Sequence, residues 1–243
     1  MHPLQPQDIA VGIPIYKKEL SPHEIQVLQQ GQKILGHYPL YFIAPPSIDR
    51  DYYLQWMPQA QFVIFEQSYF ENVKSYSLLM TQASFYQAFE QHEYLLIYQT
   101  DAYVFRDELL EWANKGYDYI GAPWIEVPPS NKKTLFNLSK WLYNKVGNGG
   151  FCLRKISTHI QLCQKWGWIQ KLWQKNEDFF WCVLIPPLAP SFQVPPVEEA
   201  LAFAFELAPA TAYQRNGQQL PFGCHAWEKY QPEFWGQFIK GAE

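Results

Sequence analysis

The apolar segment YLLIYQT at residues 94–100 limits the possible folds of this chain more than any other stretch. A strand with one face in water alternates apolar and polar residues, whereas this run is almost continuously apolar, as in central parallel strands covered on both faces. Further β-rich runs lie at 9–16, 38–46, 62–66 and 117–124. Because helical segments alternate with them, we predict a single α/β domain with a central sheet flanked by helices.

Helix start and stop signals support this alternation. In the stretch SPHE, Ser21 has the N-cap position and Glu24 the third helical position of a capping box. The helix is predicted to end before Gly36, which is expected to take a left-handed cap. Two further helices are predicted at 75–92 and 107–116.

Composition excludes some partners. The formal charge is −4 and the sequence pI is about 5.9, which disfavours a nucleic-acid partner held by phosphate contacts. The four cysteines have no CxxC spacing and no secretory leader accompanies them, so we expect reduced thiols and a cytoplasmic location. No apolar run reaches the ~18 to 20 residues of a membrane span, so any membrane contact is expected to be peripheral.

Asp101 is a single carboxylate placed where the apolar run stops. In open α/β sheets, ligands bind beyond the carboxyl ends of parallel strands, and Asp101 is predicted to lie at such an end. The alternative is a structural role, as an N-cap or turn residue before the 107–116 helix. The stretch alone leaves both interpretations open.

Three later stretches also combine polar groups with turn-forming residues. GNGGF at 147–151 favours either close approach of the backbone to a ligand or a tight turn entering a strand. NED at 176–178 favours either a helix start capped by Asn176 or a carboxylate base beside a cleft. PFGCHAW at 221–227 offers an imidazole for a metal or for a core hydrogen bond.

The order YQTDA, DYIGAPW, GNGGF, ED and PFGCHAWEKY resembles that of a family of uncharacterised bacterial glycosyltransferases of the GT-A type. It is more distantly similar to the inverting fringe and β-galactosyltransferase families. The resemblance extends from about Val11 to Trp235. It implies one GT-A-like domain with a Rossmann-like mixed sheet, a nucleotide-binding half at about 9–124 and an acceptor and catalytic half at about 147–235.

The resemblance also implies roles for individual residues. In such enzymes a strand-end acidic motif and a later histidine hold a divalent cation, Mn²⁺ or Mg²⁺, on the donor's diphosphate, and Asp101 and His225 match these positions. Asp178 falls where inverting members keep the general base, with Glu177 as the alternative. The Gly-rich turn lines the sugar and acceptor pocket, in which the resemblance places Gly147, Asn148, Gly149 and Gly150.

Other candidates come from their positions in the sequence. Tyr16 and Lys17 end the first strand and are expected either to contact the donor or to form a simple turn. Thr100 precedes Asp101 and is a further donor-side candidate. Trp124 and Trp227 are expected either to stack on acceptor sugars at the mouth of the cleft or to pack in the core.

The sequence departs from the family pattern in its acidic motif. The usual motif is Asp-x-Asp, whereas both Gln99-Thr100-Asp101 and Asp101-Ala102-Tyr103 contain one carboxylate. Asp101, His225 and a diphosphate could together hold the cation. Alternatively, lysines of the 125–146 segment, which we expect to be a mobile lid, neutralise the diphosphate without metal.

The predicted activity is transfer of a sugar from a nucleotide-diphosphate donor to a glycan or other hydroxyl acceptor. Inversion with Asp178 as the base is favoured, and a retaining course stays open. The main alternative is a carbohydrate-binding protein on the same fold without catalysis. A metal-dependent hydrolase or phosphotransferase is disfavoured, because the sequence has neither a GxxxxGK[ST] loop nor an HExxH helix.

Overall fold

The computed structural model describes residues 3–126, 138–173 and 176–240. A six-stranded central sheet has the order β3-β2-β1-β4-β7-β6, and a three-stranded sheet has the order β5-β9-β8. The strands are β1 Ile9–Pro14, β2 Leu40–Ala44, β3 Gln61–Ile64, β4 Tyr94–Tyr98, β5 Ala102–Val104, β6 Tyr119–Gly121, β7 Phe151–Lys155, β8 Ala204–Phe205 and β9 Gly223–His225.

The central sheet is mixed. The first four strands are parallel, whereas β7 runs antiparallel to both β4 and β6. Alternate residues of one strand point into two separate cores, as when Leu95 and Leu96 of β4 join different apolar clusters. All five residues of β4 are buried, in agreement with a central strand covered on both faces. The predicted α/β fold with a mixed central sheet is therefore confirmed.

Helices connect the strands and cover both faces. They are α1 Pro22–Leu35, α2 Arg50–Leu54, α3 Val73–Leu79, α4 Ala83–Gln87, α5 Leu109–Asn114, α6 Ile156–Trp166, α7 Trp168–Trp173, α8 Glu177–Phe179, α9 Ile185–Leu188, α10 Val197–Phe203, α11 Pro209–Arg215 and α12 Pro232–Trp235. A π-helical turn, Phe180–Leu184, joins α8 to α9. No helix among the described residues combines the length and apolar character needed to cross a bilayer.

Some helix start and stop signals in the sequence agree with the structure and others do not. The capping box of α1 is present, since Ser21 and Glu24 each accept a backbone N–H of the other. The left-handed cap at Gly36 is wrong, because φ there is −64°. The helix predicted at 75–92 is divided into α3 and α4, since Gln82 adopts an extended conformation between them.

The second sheet brings the C-terminal part of the chain back to β4. Its first strand, β5, follows β4 after a short turn and pairs antiparallel with β9, so that Ala102 lies opposite His225. Strand β8 pairs parallel with β9 on the other side. The segment around 221–225 is therefore fixed beside the residue that follows Asp101.

Half of the predicted lid at 125–146, residues 127–137 with Lys132 and Lys133, lies outside the described residues. At its edges, Pro123 and Val146 form an isolated antiparallel bridge. The proline-rich stretch 186–196 begins within helix α9, which ends at Leu188, and forms no helix or strand from 189 to 196. The division into a donor half and an acceptor half stays a prediction.

Candidate functional site

A cavity of about 430 Å³ opens at the carboxyl ends of β1 and β4. Its wall combines polar groups from both halves of the chain with a few apolar side chains. The lining residues are Pro14, Tyr16, Lys17, Glu24, Phe70, Glu71, Asn72, Val73, Tyr76, Gln99, Thr100, Asp101, Asn148, Gly149, Gly150, Asn176, Glu177, Asp178 and His225. The site thus lies where ligands bind in open α/β sheets.

Asp101 and His225 meet at this cavity. Oδ1 of Asp101 lies 3.2 Å from Nε2 of His225, and Oε1 of Gln99 lies 3.2 Å from the same nitrogen. Although burial opposes the charged imidazole, the Asp101 and Glu206 carboxylates raise the pKa of His225 to about 10. Burial likewise opposes ionisation of Asp101, but the nearby His225 lowers the pKa of the Asp101 carboxyl.

Glu206 is a buried carboxylate that our sequence reasoning missed. It accepts hydrogen bonds from Trp124 Nε1 at 3.1 Å and from Asn148 Nδ2 at 2.8 Å, and it lies 3.2 Å from His225 Nδ1. Because Nδ1 of His225 faces this carboxylate, Nε2 is directed towards Asp101. The sequence does contain a signal for Glu206, because this acidic residue directly follows the apolar run AFAF at 202–205, just as Asp101 follows an apolar strand.

The Gly-rich turn packs against these groups with no room for side chains. A Cβ at Gly150 would lie 2.1 Å from His225 Nε2, and a Cβ at Gly149 would lie 2.3 Å from Glu177 Oε1 and 2.6 Å from Asp178 Oδ1. Such distances are far below van der Waals contact. The two glycines therefore allow the turn before β7 to touch both acidic groups and the imidazole.

Asn148 supports the turn from within. It is 4% exposed, its Oδ1 accepts the Gly150 N–H at 2.9 Å, and its amide nitrogen donates to Glu206. Most of its hydrogen-bonding capacity is used by protein partners. Asn148 lines the cavity but mainly fixes the shape of its floor.

The two acidic residues of NED have different environments. Glu177 is 6% exposed and accepts a hydrogen bond from Ser77 Oγ at 3.0 Å, and its other oxygen lies 3.6 Å from Nη2 of buried Arg154. Oδ1 of Asp178 is buried with no hydrogen-bond partner among the described residues. Burial, with the negative charges of Glu177 and Glu206, raises the pKa of Asp178 well above its usual range.

Local structure places Asp178 in the cavity. Asn176 is the N-cap residue of α8, so the predicted helix start is confirmed, but its side chain makes no capping hydrogen bond and the residue lines the cavity. The π-helical turn at Phe180–Leu184 follows directly. Such turns occur frequently at functional sites.

The opposite wall contains the donor-side candidates. Lys17 Nζ lies 2.9 Å from Glu24 Oε1, which also accepts a hydrogen bond from Thr100 Oγ1 at 2.9 Å. Glu24 thus belongs to the capping box of α1 and also links Lys17 to Thr100. The capping-box pattern in the sequence does not indicate this second role. Tyr16 is 58% exposed at the rim.

Two predicted acceptor residues are buried. Trp124 is 3% exposed and Trp227 is fully buried in the core, so neither indole has a free face at the mouth of the cleft. The stacking role is wrong for both, and the alternative of core packing is correct. Trp124 reaches the site only indirectly, through its hydrogen bond to Glu206.

The residues beside Asp101 fit part of a cation site. The Asp101 carboxylate, the side-chain Oε1 of Gln99 and the Nε2 of His225 converge. Glu206 faces the other nitrogen of the His225 ring, as a carboxylate commonly does where a histidine binds a metal. No group of three or more His, Cys, Asp or Glu side chains with metal-ligand geometry occurs in the described part of the chain. The set therefore fits a cation that takes its remaining ligands from a bound phosphate.

The chain is similar to one protein-family model and to several solved structures. The family model described as "Protein of unknown function (DUF5672)" matches residues 59–225. A search of the curated proteins found no match. Among solved structures, the apo form of the glycosyltransferase GlyE of Streptococcus pneumoniae TIGR4 aligns with 96% of this chain and 57% of its own, at 12% identity and a TM-score of 0.53.

Two fungal structures are also similar. Core-mannan synthase A of Aspergillus fumigatus in its Mn/GDP form aligns at 9% identity over 68% of this chain and 66% of its own, with a TM-score of 0.44. The mannosyltransferase Ktr4p of S. cerevisiae aligns at 8% identity over 80% and 67%, with a TM-score of 0.48. The chain spans 57% of the length of GlyE. The likeness to GlyE shows that this chain has a GT-A-type glycosyltransferase fold.

Proposed function

The chain belongs to the DUF5672 family of proteins of unknown function, and we propose that it is a glycosyltransferase that uses a nucleotide-diphosphate sugar. One observation carries the proposal. A single cavity has the Asp101 and His225 pair on one wall and the buried, unpartnered carboxyl oxygen of Asp178 on another. The family likeness to fringe and β-galactosyltransferases, which rests on motif order, is part of the same proposal.

The donor side is the wall with Lys17, Thr100 and Asp101. Asp101 and His225, with Gln99 beside them, would hold Mn²⁺ or Mg²⁺ once the cation has displaced the proton that the raised pKa of His225 retains. When bound, such a cation neutralises charge on the departing diphosphate. Lys17 lies at the same wall, where its ammonium group can contact phosphate oxygens after separating from Glu24.

The acceptor side is the wall with Asp178. In an inverting transfer, the acceptor oxygen forms a bond to the anomeric carbon while the bond from that carbon to the diphosphate oxygen breaks. The electron pair of the broken bond leaves with the diphosphate, and the acceptor's hydroxyl proton passes to the Asp178 carboxylate. A carboxyl with a raised pKa is a stronger base once ionised than an ordinary aspartate.

Enclosure favours this chemistry. The walls at Asn148, Gly149 and Glu177 are buried, so the reacting groups would lie in a region of low dielectric where charge interactions are strong. Partial exclusion of water also limits hydrolysis of the donor. The nucleotide and sugar would enter between Tyr16 and Val73, which are both exposed at the rim.

The test uses the full chain with a panel of UDP-, GDP- and dTDP-sugars and with Mn²⁺ or Mg²⁺. We expect release of nucleoside diphosphate with at least one donor, faster with a suitable hydroxyl acceptor, and its loss in Asp178→Asn. Thermal-shift measurements on the same panel identify the donor independently of turnover. The proposal is contradicted if none of the donors binds and none is turned over.

A second candidate is a carbohydrate-binding protein without catalysis. It is favoured by the single carboxylate of the acidic motif, since Asp101 is already paired with His225. Under this alternative, sugars or nucleotide sugars stabilise the protein in thermal shift but are recovered unchanged. Product analysis after prolonged incubation separates the two candidates.

A further inference from the structure

Arg154 is a fully buried cation beneath the cavity floor. It lies on β7, where its Nη1 donates to Tyr86 Oη at 2.7 Å and its Nε lies 3.1 Å from Cys152 Sγ. Its Nη2 has no hydrogen-bond partner within the described residues and lies 3.6 Å from Glu177 Oε1. A buried guanidinium is costly unless opposite charge compensates it, so its location requires an explanation.

The guanidinium is held in one orientation. Its Cζ also lies 5.3 Å from the centre of the Tyr119 ring. Gly149 gives Nη2 access to the turn, because a Cβ there would lie only 3.3 Å from it. Tyr86, Cys152 and Tyr119 thus fix three sides of the group, and its remaining side faces the acidic pair of α8.

Two neighbours hold the carboxylate of Glu177 at the cavity wall. One carboxylate oxygen faces Arg154, and the other accepts the Ser77 hydroxyl hydrogen. The adjacent Asp178 has neither contact, and its Oδ1 stays without a partner. Glu177 and Asp178 are adjacent on one helical turn, yet both carboxylate oxygens of Glu177 have partners whereas Oδ1 of Asp178 has none among the described residues.

Resting on the function proposed above, we propose that Arg154 is a positioning residue that holds Glu177 in a buried ion pair, so that Asp178 alone is presented to the acceptor. Without the Arg154 charge, the adjacent carboxyls of Glu177 and Asp178 would share the acceptor's proton, which in the proposed reaction passes to Asp178. Arg154 is not among the residues that line the cavity. Its effect on the reaction passes through Glu177 and through its field at Asp178.

The charges around Asp178 determine in which direction its titration moves when the Arg154 charge is removed. After burial itself, the carboxylates of Glu177 and Glu206 raise the pKa of Asp178, whereas Arg154 and His225 lower it. Neutral groups packed near it are the thiols of Cys152 and Cys182 and the phenol of Tyr119. Removal of the Arg154 charge disfavours the state in which both acids are ionised, because two negative charges then lack their buried counter-ion.

The experiment is a titration that needs no turnover. Carbon-13 NMR follows the side-chain carboxyl carbons of labelled Asp and Glu in the full chain, and the variants Asp178→Asn and Glu177→Gln assign the two resonances. In Arg154→Met, which removes charge at similar volume, we expect the last proton of the pair to leave at a pH higher by about 1 to 3 pH units. Arg154→Lys keeps the charge and should titrate close to wild type.

Two outcomes overturn the proposal. One is a folded Arg154→Met variant whose acidic pair titrates as in wild type, and the other is an Arg154→Lys variant that behaves as Arg154→Met does. If Arg154→Met fails to fold, Glu177→Gln provides the test, because it removes a negative neighbour and frees Arg154. The Asp178 titration must then move to lower pH, and an unchanged titration contradicts the proposal.

Turnover provides a second measurement once a donor is identified. Arg154→Met should lower kcat and move the acid limb of the pH–rate profile to higher pH, while the KM for the donor stays constant. Arg154→Lys should recover most of kcat. An inactive wild-type protein would contradict the proposed function and leave the carboxyl titration as an independent test of Arg154.

Discussion

Nε2 of His225 lies 3.2 Å from Oδ1 of Asp101, although these residues belong to distant parts of the chain. The register of β5 and β9 explains the contact, since Ala102 lies opposite His225 and the Ala226 N–H donates to the Asp101 carbonyl oxygen. The pair is therefore fixed by backbone pairing rather than by side-chain flexibility. This rigidity suits a site that binds a charged ligand.

The first prediction concerns Mn²⁺ binding. Glu206→Gln should weaken Mn²⁺ binding in the presence of a nucleoside diphosphate by about 10-fold to 100-fold, because Glu206 orients the His225 ring. Asp101→Asn should weaken it at least as much. Electron paramagnetic resonance of free Mn²⁺ measures both, with Glu199→Gln, a surface carboxylate paired with Lys115, as the control. Wild-type affinity in Asp101→Asn would contradict the cation site.

The second prediction concerns Asp178. Asp178→Asn should lower the transfer rate by about 100-fold to 10,000-fold, because it removes the proton acceptor. Its free energy of unfolding at pH 7 should be unchanged or higher, since the replaced oxygen is buried without a partner. Steady-state kinetics and urea unfolding measure the two effects. A near wild-type rate would exclude Asp178 as the base, and Glu177 would be tested next.

Asp118→Asn is the matched control for that variant. Asp118 is a buried carboxylate away from the cavity, where it accepts hydrogen bonds from Thr158 Oγ1 at 2.6 Å and from the Gln193 N–H at 2.8 Å. We expect a loss of about 1 to 3 kcal/mol in the free energy of unfolding with turnover per folded molecule retained. The two aspartates should thus show opposite patterns of stability and activity.

The third prediction concerns the Gly-rich turn. Gly150→Ala should displace the His225 ring, because the new Cβ would lie 2.1 Å from Nε2. We expect about 1 to 3 kcal/mol of destabilisation and a loss of Mn²⁺ binding. Gly217→Ala is the control, since Gly217 has φ of +65° and no atom within 4 Å of the added carbon. That variant should be destabilised by backbone strain alone and keep its Mn²⁺ affinity.

The fourth prediction concerns acid stability. Burial first, and then the charge of Arg154, lower the pKa of His159 to about 3 in the folded protein, against 6.5 for an ordinary histidine. Between these pH values only the unfolded state binds the proton, so the free energy of unfolding rises with pH up to about 6.5. From pH 7 to pH 5, His159 should account for a loss of about 2 kcal/mol.

His159→Phe isolates this contribution. The ring lies between Tyr86 and Trp181, with centroid distances of 4.9 and 4.3 Å, so a phenyl group fits the same aromatic surroundings. Urea unfolding at pH 7 and pH 5 should show a smaller loss in the variant than in wild type, since all other titrating groups are shared. Equal losses in the two proteins would contradict the assignment.

The sequence by itself determined the local elements of the fold. The apolar run at 94–98 identified the buried central strand, and the Ser21 and Glu24 capping box gave the start of α1. It also indicated Asp101 as a residue at a strand end. These features depend on periodicity and on hydrogen bonds within a few residues, which short stretches of sequence encode directly.

Only the tertiary structure decided which of these groups meet. The pairing of β5 with β9 brings His225 to Asp101, and the turn before β7 brings Gly149 to the acids of α8. The role of Glu206 and the burial of Trp227 were decided in the same way. Strand pairing and packing join residues at any separation in sequence, and the spacing of residues along the chain therefore carries no record of such contacts.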